Sequence, residues 1–186
     1  MSKEKPSVRY KKWAEEHSIF ATTAETVGIA AVKYGIQSLG QKINVNLINA
    51  NPEVKEIHER SLSEAALLFT VAAPLEEELT FRAVPQAVSG YLKNRGHDSS
   101  AKAVVRAADM LFVMAHSGLF IKNEGGQIKP NLKVNRVDHA IPAGPYIAAK
   151  QYRRLAETRG IRYAVYAHSL NNALALAERT IRKSKS

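Results

Sequence analysis

The segment Pro74–Val88, PLEEELTFRAVPQAV, sets three consecutive glutamates and an arginine among leucine, valine, alanine and phenylalanine. Carboxylates inside an apolar helix are costly unless they are paired or used. Pro74 suits the first turn of a helix, where its missing N–H is not needed. The segment therefore reads as a new helix from Pro74 to Gly96, kinked near Pro85 and stopped by the glycine. Glu78 and Arg82 are four residues apart and can pair across one turn. Glu77 then projects about 100° away on a different face, and Glu76 is expected in solvent. Alone, E-E-x-x-x-R is also what many solvated surface helices contain.

Outward from this segment the pattern stays helical. Ile19–Leu39 reads as a helix with small residues suited to close packing, and a helix or helix pair is expected from about Glu53 to Ala73. Asp98 with Ser99 and Ser100 supplies N-cap chemistry for a helix whose apolar face includes Val105, Phe112 and Val113. The polar, glycine-containing stretch Ile121–Val137 reads as an exposed loop or small hairpin. Two further helices follow, one ending at Gly160 and one running into a basic tail. The expected fold is all-α, a single bundle of about six to eight helices. Residues 1–13 read as a basic flexible arm, 14–180 as the helical domain and 181–186 as a basic tail.

The 186 residues suffice for one domain with its own core. There are 27 lysines and arginines against 17 aspartates and glutamates, a net charge of +10 that favours anionic partners without choosing among them. The absence of cysteine excludes disulfides, thiol catalysis and thiolate metal sites. The charged N-terminus leads into no uninterrupted apolar h-region, because Glu25 breaks the next segment. No stretch reaches the roughly 18 apolar residues of a membrane span. No serine-nucleophile elbow or P-loop is present, and after His58-Glu59 a leucine, Leu62, stands where a zincin needs its second histidine.

Two more polar pairs interrupt apolar helices. Phe112 and His116 form F-x-x-x-H, and His168 and Asn172 form H-x-x-x-N within YAVYAHSLNNALALA. Each pair lies one turn apart on a shared face. Singly, His116 reads best as a satisfied core or helix-end histidine, and His168 with Asn172 reads equally well as a structural hydrogen-bond network.

In this order and at these separations, the three motifs resemble those of the CAAX prenyl endopeptidase and bacteriocin-processing family, also called the CPBP or Abi family. The resemblance covers about Leu62 to Leu176. It implies an endopeptidase that uses a glutamate-activated water inside a helical bundle. Glu77 would be the general base, its pKa raised by desolvation. His116 would orient the attacking water, and His168 and Asn172 would donate hydrogen bonds to the oxyanion. Glu78 and Arg82 would pair to fix the helix, and Phe112 would pack beneath His116. Glu77, His116 and His168 would also make a two-histidine, one-carboxylate set for zinc. A metal-free site is favoured, because Asn172 suits an oxyanion better than a zinc shell. The implied substrate is a peptide or protein, with a lipidated or apolar segment where the chain follows the family.

Members of that family are multi-pass membrane proteins. Here Arg106, Asp109, Asp138, Lys150 and Arg162 fall in or beside the helices that would cross a bilayer, where charge is expensive. The expectation is a soluble cytoplasmic or peripheral relative, with membrane-surface contact through the basic ends. Two other readings stand beside the peptidase. One is a catalytically silent helical scaffold that keeps the motifs as a polar network. The other is nucleic-acid binding through the basic ends, which is weaker because the basic residues are spread along the chain with no aromatic–basic reading surface.

Overall fold

Local signals set most of the helix boundaries in the computed structural model, which describes residues 6–42, 61–116, 120–122, 128–130 and 143–183. Helices α1 (Pro6–Glu16) and α2 (Ser18–Lys42) are joined at His17. Residues 6–13, expected in a flexible arm, are therefore helical. Tyr10 donates to Glu25, and Ala14 is buried, which ties this turn-rich basic segment to α2. Glu25 also receives Arg154 and Arg159, so α1, α2 and the later helix bearing those arginines meet at one carboxylate.

Helix α3 (Leu62–Leu67) opens on a capping box, with the Ser61 hydroxyl accepting from the Glu64 N–H and the Glu64 carboxylate accepting from the Ser61 N–H. Most of the expected Glu53–Ala73 segment before Ser61 lies outside the described residues. Beyond α3 the chain does not stop and restart at Pro74. It continues through a π turn (Leu68–Ala72), α4 (Ala73–Glu78), a second π turn (Leu79–Ala83) and α5 (Val84–Asn94), with helical dihedrals at every junction. A proline inside a helix removes one hydrogen bond and clashes with the carbonyl four residues back. Here each proline, Pro74 and Pro85, follows a turn widened to i→i−5 bonding, Ala73 N–H to Leu68 O and Val84 N–H to Leu79 O.

Helix α5 ends as expected at Gly96, whose φ of 80° is open to glycine without strain. His97 N–H bonds to Leu92 O and Gly96 N–H to Lys93 O, a Schellman closure. Helix α6 (Asp98–His116) starts immediately, with Ala101 N–H bonding to His97 O. Asp98 thus sits in the first turn and the cap position falls on His97. A short antiparallel hairpin, β1 (Phe120–Lys122) with β2 (Ile128–Pro130), pairs Ile121 with Lys129. Helix α7 (Ala143–Arg159) ends at Gly160, φ 97°, and α8 (Ile161–Lys183) follows it.

The result is an all-α bundle with one small hairpin. Its apolar core joins Phe112 and Val113 of α6 to Ala148, Ala149, Tyr152, Leu155 and Ala156 of α7 and to Ala164 and Ala167 of α8. The alanines bring α7 and α8 close together, and α2 packs on both. The run from α3 to α5 is built the other way round. Its inner face carries Pro74, Glu78, Arg82, Pro85 and Ser89, all buried, whereas Leu67, Val71, Leu75 and Leu79 face outward, Leu67 being 66% exposed. Among the described residues no helix is long and apolar enough to cross a membrane.

Candidate active site

Glu77 and Glu78 lie at the end of α4, just before the second π turn, and point to different sides of the helix. Glu78 is completely buried. Its Oε1 accepts from His168 Nδ1 at 3.0 Å, and its Oε2 lies 3.7 Å from Arg82 Nε. Arg82 is equally buried. Its Nη1 donates to Phe81 O at 3.0 Å, a carbonyl that Pro85 cannot reach because it has no N–H. Its guanidinium lies over the Phe112 ring, 4.6 Å from the centroid. The expected Glu78–Arg82 pair is thus one edge of a wider arrangement that also contains a histidine from α8.

Glu77 faces the opposite environment. Its side chain keeps 19% of its surface whereas that of Glu78 keeps none, although the Glu77 Oε2 atom itself is buried. Glu77 Oε2 lies 2.8 Å from His116 Nε2 and 3.7 Å from His168 Nε2. The His116 contact is within ion-pair and hydrogen-bond reach. His116 Nδ1 lies 2.8 Å from Phe112 O, and because a carbonyl can only accept, Nδ1 is the protonated nitrogen. The other ring nitrogen, Nε2, is the one turned to the Glu77 carboxylate. Phe112 stacks on His116 with ring centroids 4.2 Å apart, as the sequence suggested, and meets His168 edge-on.

The electrostatics of Glu77 correct one expectation. Burial is the largest single influence and pushes its carboxyl up. The hydrogen bond and charge of His116, with the charges of His168 and Arg82, outweigh it and hold the carboxyl below its ordinary value. Glu77 is not a carboxylate raised by desolvation. It is ionised through the neutral range, ready to accept a proton but with a smaller appetite for it.

Asn172, one turn after His168, donates from Nδ2 to Phe69 O at 2.9 Å. That carbonyl is free for a specific reason. Its α-helical partner, Ala73 N–H, bonds to Leu68 O in the first π turn, and Pro74 next to it has no N–H. One of the two Asn172 amide protons is thereby spent on the helix, not aimed at a substrate. The neighbouring Asn171 accepts from Lys33, whose ammonium is disfavoured by burial. Glu76 is exposed, as expected.

Both imidazoles thus turn Nε2 toward Glu77 and tie Nδ1 back, His116 to a carbonyl and His168 to a carboxylate. Histidines held in this way ligate metals through Nε2, so Glu77, His116 and His168 are the residues that would hold zinc. Among the described residues no three His, Cys, Asp or Glu side chains form a ready-made metal cluster.

Three residues belong to this region that no motif signalled. Asp109 takes two bonds of 2.6 Å from Arg153 and lies 3.9 Å from Arg82. Its charge, read from the sequence as one that a bilayer-crossing helix would not carry, is buried and paired. A charged residue in the apolar run AADMLFVMAH was the available signal. Tyr152 has no accessible surface and stacks on His168, centroids 4.6 Å apart and planes 19° from parallel. Asp138, read from the sequence with the same group of charges, lies outside the described residues. Comparison with protein-family models, with curated proteins and with solved structures gives no match to this chain.

Proposed function

We propose that this chain is an endopeptidase of the CAAX prenyl endopeptidase and bacteriocin-processing type, in which Glu77 activates a water. The observation that carries this reading is the convergence of two imidazole Nε2 atoms on one buried oxygen of the Glu77 carboxylate, 2.8 and 3.7 Å away, in a side chain that is itself partly exposed. A water at Glu77 gives its proton to the carboxylate as its oxygen attacks the scissile carbonyl carbon. The carbonyl π electrons move to oxygen, where a proton on His168 Nε2 and the second Asn172 amide proton are the donors. The tetrahedral intermediate collapses, the C–N bond breaks, and the proton passes from Glu77 to the leaving amine. His116 shares the Glu77 proton and keeps the carboxylate oriented. Glu78 fixes His168 from behind, and Arg82 fixes Glu78.

One observation favours a second reading. Glu78, Arg82, Asp109 and Arg153 form a buried polar array whose members hold three elements together, which is what a catalytically silent scaffold would retain. Incubation of the purified protein with a peptide library separates the two. New termini read by mass spectrometry are expected with the wild type and absent with Glu77→Gln, which stays folded with an unfolding midpoint lower by only about 2–4 °C. Chelator is expected to leave cleavage intact. Cleavage that chelator abolishes and zinc restores assigns Glu77, His116 and His168 to a metal. No cleavage at all leaves the scaffold reading standing.

A further inference from the structure

Asp109 stands between two guanidiniums and is held unequally by them. Arg153 of α7 covers both of its oxygens, Nη2 to Oδ1 and Nε to Oδ2, each at 2.6 Å. The same Nη2 donates to Val105 O at 2.8 Å, one turn earlier on α6, so the fork is gripped at two points. Arg82 lies farther off, its Nη1 3.9 Å from Oδ1. Lys150 is 3.7 Å from Oδ2, but its side chain is half exposed and its charge is screened by solvent.

Arg82 is the balance point. Its Nε is 3.7 Å from Glu78 Oε2 on one side, and its Nη1 is 3.9 Å from Asp109 Oδ1 on the other. Neither separation is a hydrogen bond. Its donors go instead to carbonyls, Phe81 O at 3.0 Å and Ala149 O at 3.5 Å, which carry no net charge and do not choose between the carboxylates. A buried cation between two anions serves the one that is less neutralised by other groups. Asp109 is saturated by Arg153. Glu78 has, beside Arg82, the His168 Nδ1 at 3.0 Å. Arg82 is thereby left to Glu78. Without Arg153, the buried cation nearest to Asp109 is Arg82 itself.

We propose that Arg153 is a positioning residue of the site: by covering Asp109 it leaves Arg82 to Glu78, and Glu78 to His168. The bond made at one ring nitrogen of a histidine sets the state and direction of the other. In His168 that other nitrogen, Nε2, faces Glu77 at 3.7 Å. The catalytic half of this assignment rests on the hydrolytic reading, and the structural half does not.

Arg153→Met, Arg153→Lys and the double variant Asp109→Asn/Arg153→Met, each in the full chain, test it. The readouts are kcat and KM for a cleaved peptide, and the side-chain 1H–15N signal of His168 Nδ1 at pH 7. Arg153→Met is expected to lower kcat about 10- to 100-fold with KM little changed, and to shift the His168 signal. Arg153→Lys keeps the charge but loses the fork, and is expected to fall between it and the wild type in both readouts. The double variant removes the carboxylate that would draw Arg82 away. It should recover most of the lost kcat and the wild-type signal.

Wild-type values in Arg153→Met overturn the proposal, as does a double variant no better than the single one. A change in one readout without the other overturns it too. If Arg153→Met does not fold, Arg153→Lys decides: wild-type values there overturn the proposal, and a shifted signal with a lowered kcat supports it. If the wild type cleaves no peptide, the hydrolytic reading fails by itself. The His168 signal then still decides whether Arg153 sets the Glu78–His168 contact.

Discussion

The run from α3 to α5 and helix α7 bury different balances of side chain. Helix α7 is mostly apolar inside: Ala148, Ala149, Tyr152, Leu155 and Ala156 are buried together with the paired Gln151 and Arg153, and Lys150, Arg154 and Glu157 face out. In the run from Leu62 to Asn94 the buried side chains are a glutamate, an arginine, a serine, two prolines and Ala65, and Leu67, Leu68, Leu75 and Leu79 are outside. The first helix is held by removal of apolar surface from water. The second is held by ion pairs and hydrogen bonds that must all be made at once, because one unpaired buried charge is expensive. That inversion is what places two carboxylates beside two histidines. It also leaves a stripe of large apolar side chains without a core to enter.

Breaking the polar face is expected to have the largest effect. Arg82→Met strands the buried Glu78 carboxylate and should cost about 3–5 kcal/mol, read as the shift in a denaturant unfolding curve. The double variant Glu78→Leu/Arg82→Met should recover most of that loss, since an ion pair replaced by apolar side chains of similar size is close to neutral. If the double variant is no better than the single one, the pair is not the unit that holds this face. On the apolar side, Leu155→Ala removes a fully buried core residue and should cost about 2–5 kcal/mol, with no partner substitution that restores it.

A smaller effect follows from Glu77. Its carboxyl is held below its ordinary value of 4.5 in the folded chain. A depressed carboxyl contributes stability that is present above the unfolded value and is lost as pH falls through the folded one. Wild type should therefore exceed Glu77→Gln in stability at pH 7, by about 1 kcal/mol for one charge-assisted contact that is partly exposed. The gap should close below pH 4.5 in unfolding curves taken across pH. A gap that widens on acidification would mean that burial, not the histidines, governs this group. The smallest effect belongs to the outer stripe: Leu75→Ser should change stability by no more than about 0.5 kcal/mol.

Much of the fold was legible in the sequence. Helical periodicity, Gly96 and Gly160 marked the later helices and their ends. Pro74 was misread because a proline at a helix start and a proline after a π turn satisfy the same local rule: neither needs an N–H. Only the backbone distinguishes them. The consequence is functional, since the freed Phe69 carbonyl now holds Asn172. In the site, the motif spacing located Glu77, His116 and His168 but could not supply Asp109 with its partner, 44 residues away in Arg153. The sign of the Glu77 shift was hidden for a related reason. Sequence signals that the residue is buried, whereas the two imidazoles that outweigh burial come from different helices.

The most direct test of a glutamate-activated water is a single turnover in water enriched in oxygen-18, with excess enzyme over peptide. If Glu77 only takes the proton of an attacking water, the new carboxyl terminus of the product carries one solvent oxygen and Glu77 remains unlabelled. A product whose added oxygen comes from the enzyme, with label appearing in the Glu77 carboxylate, would mean covalent attack by that residue and would contradict the account.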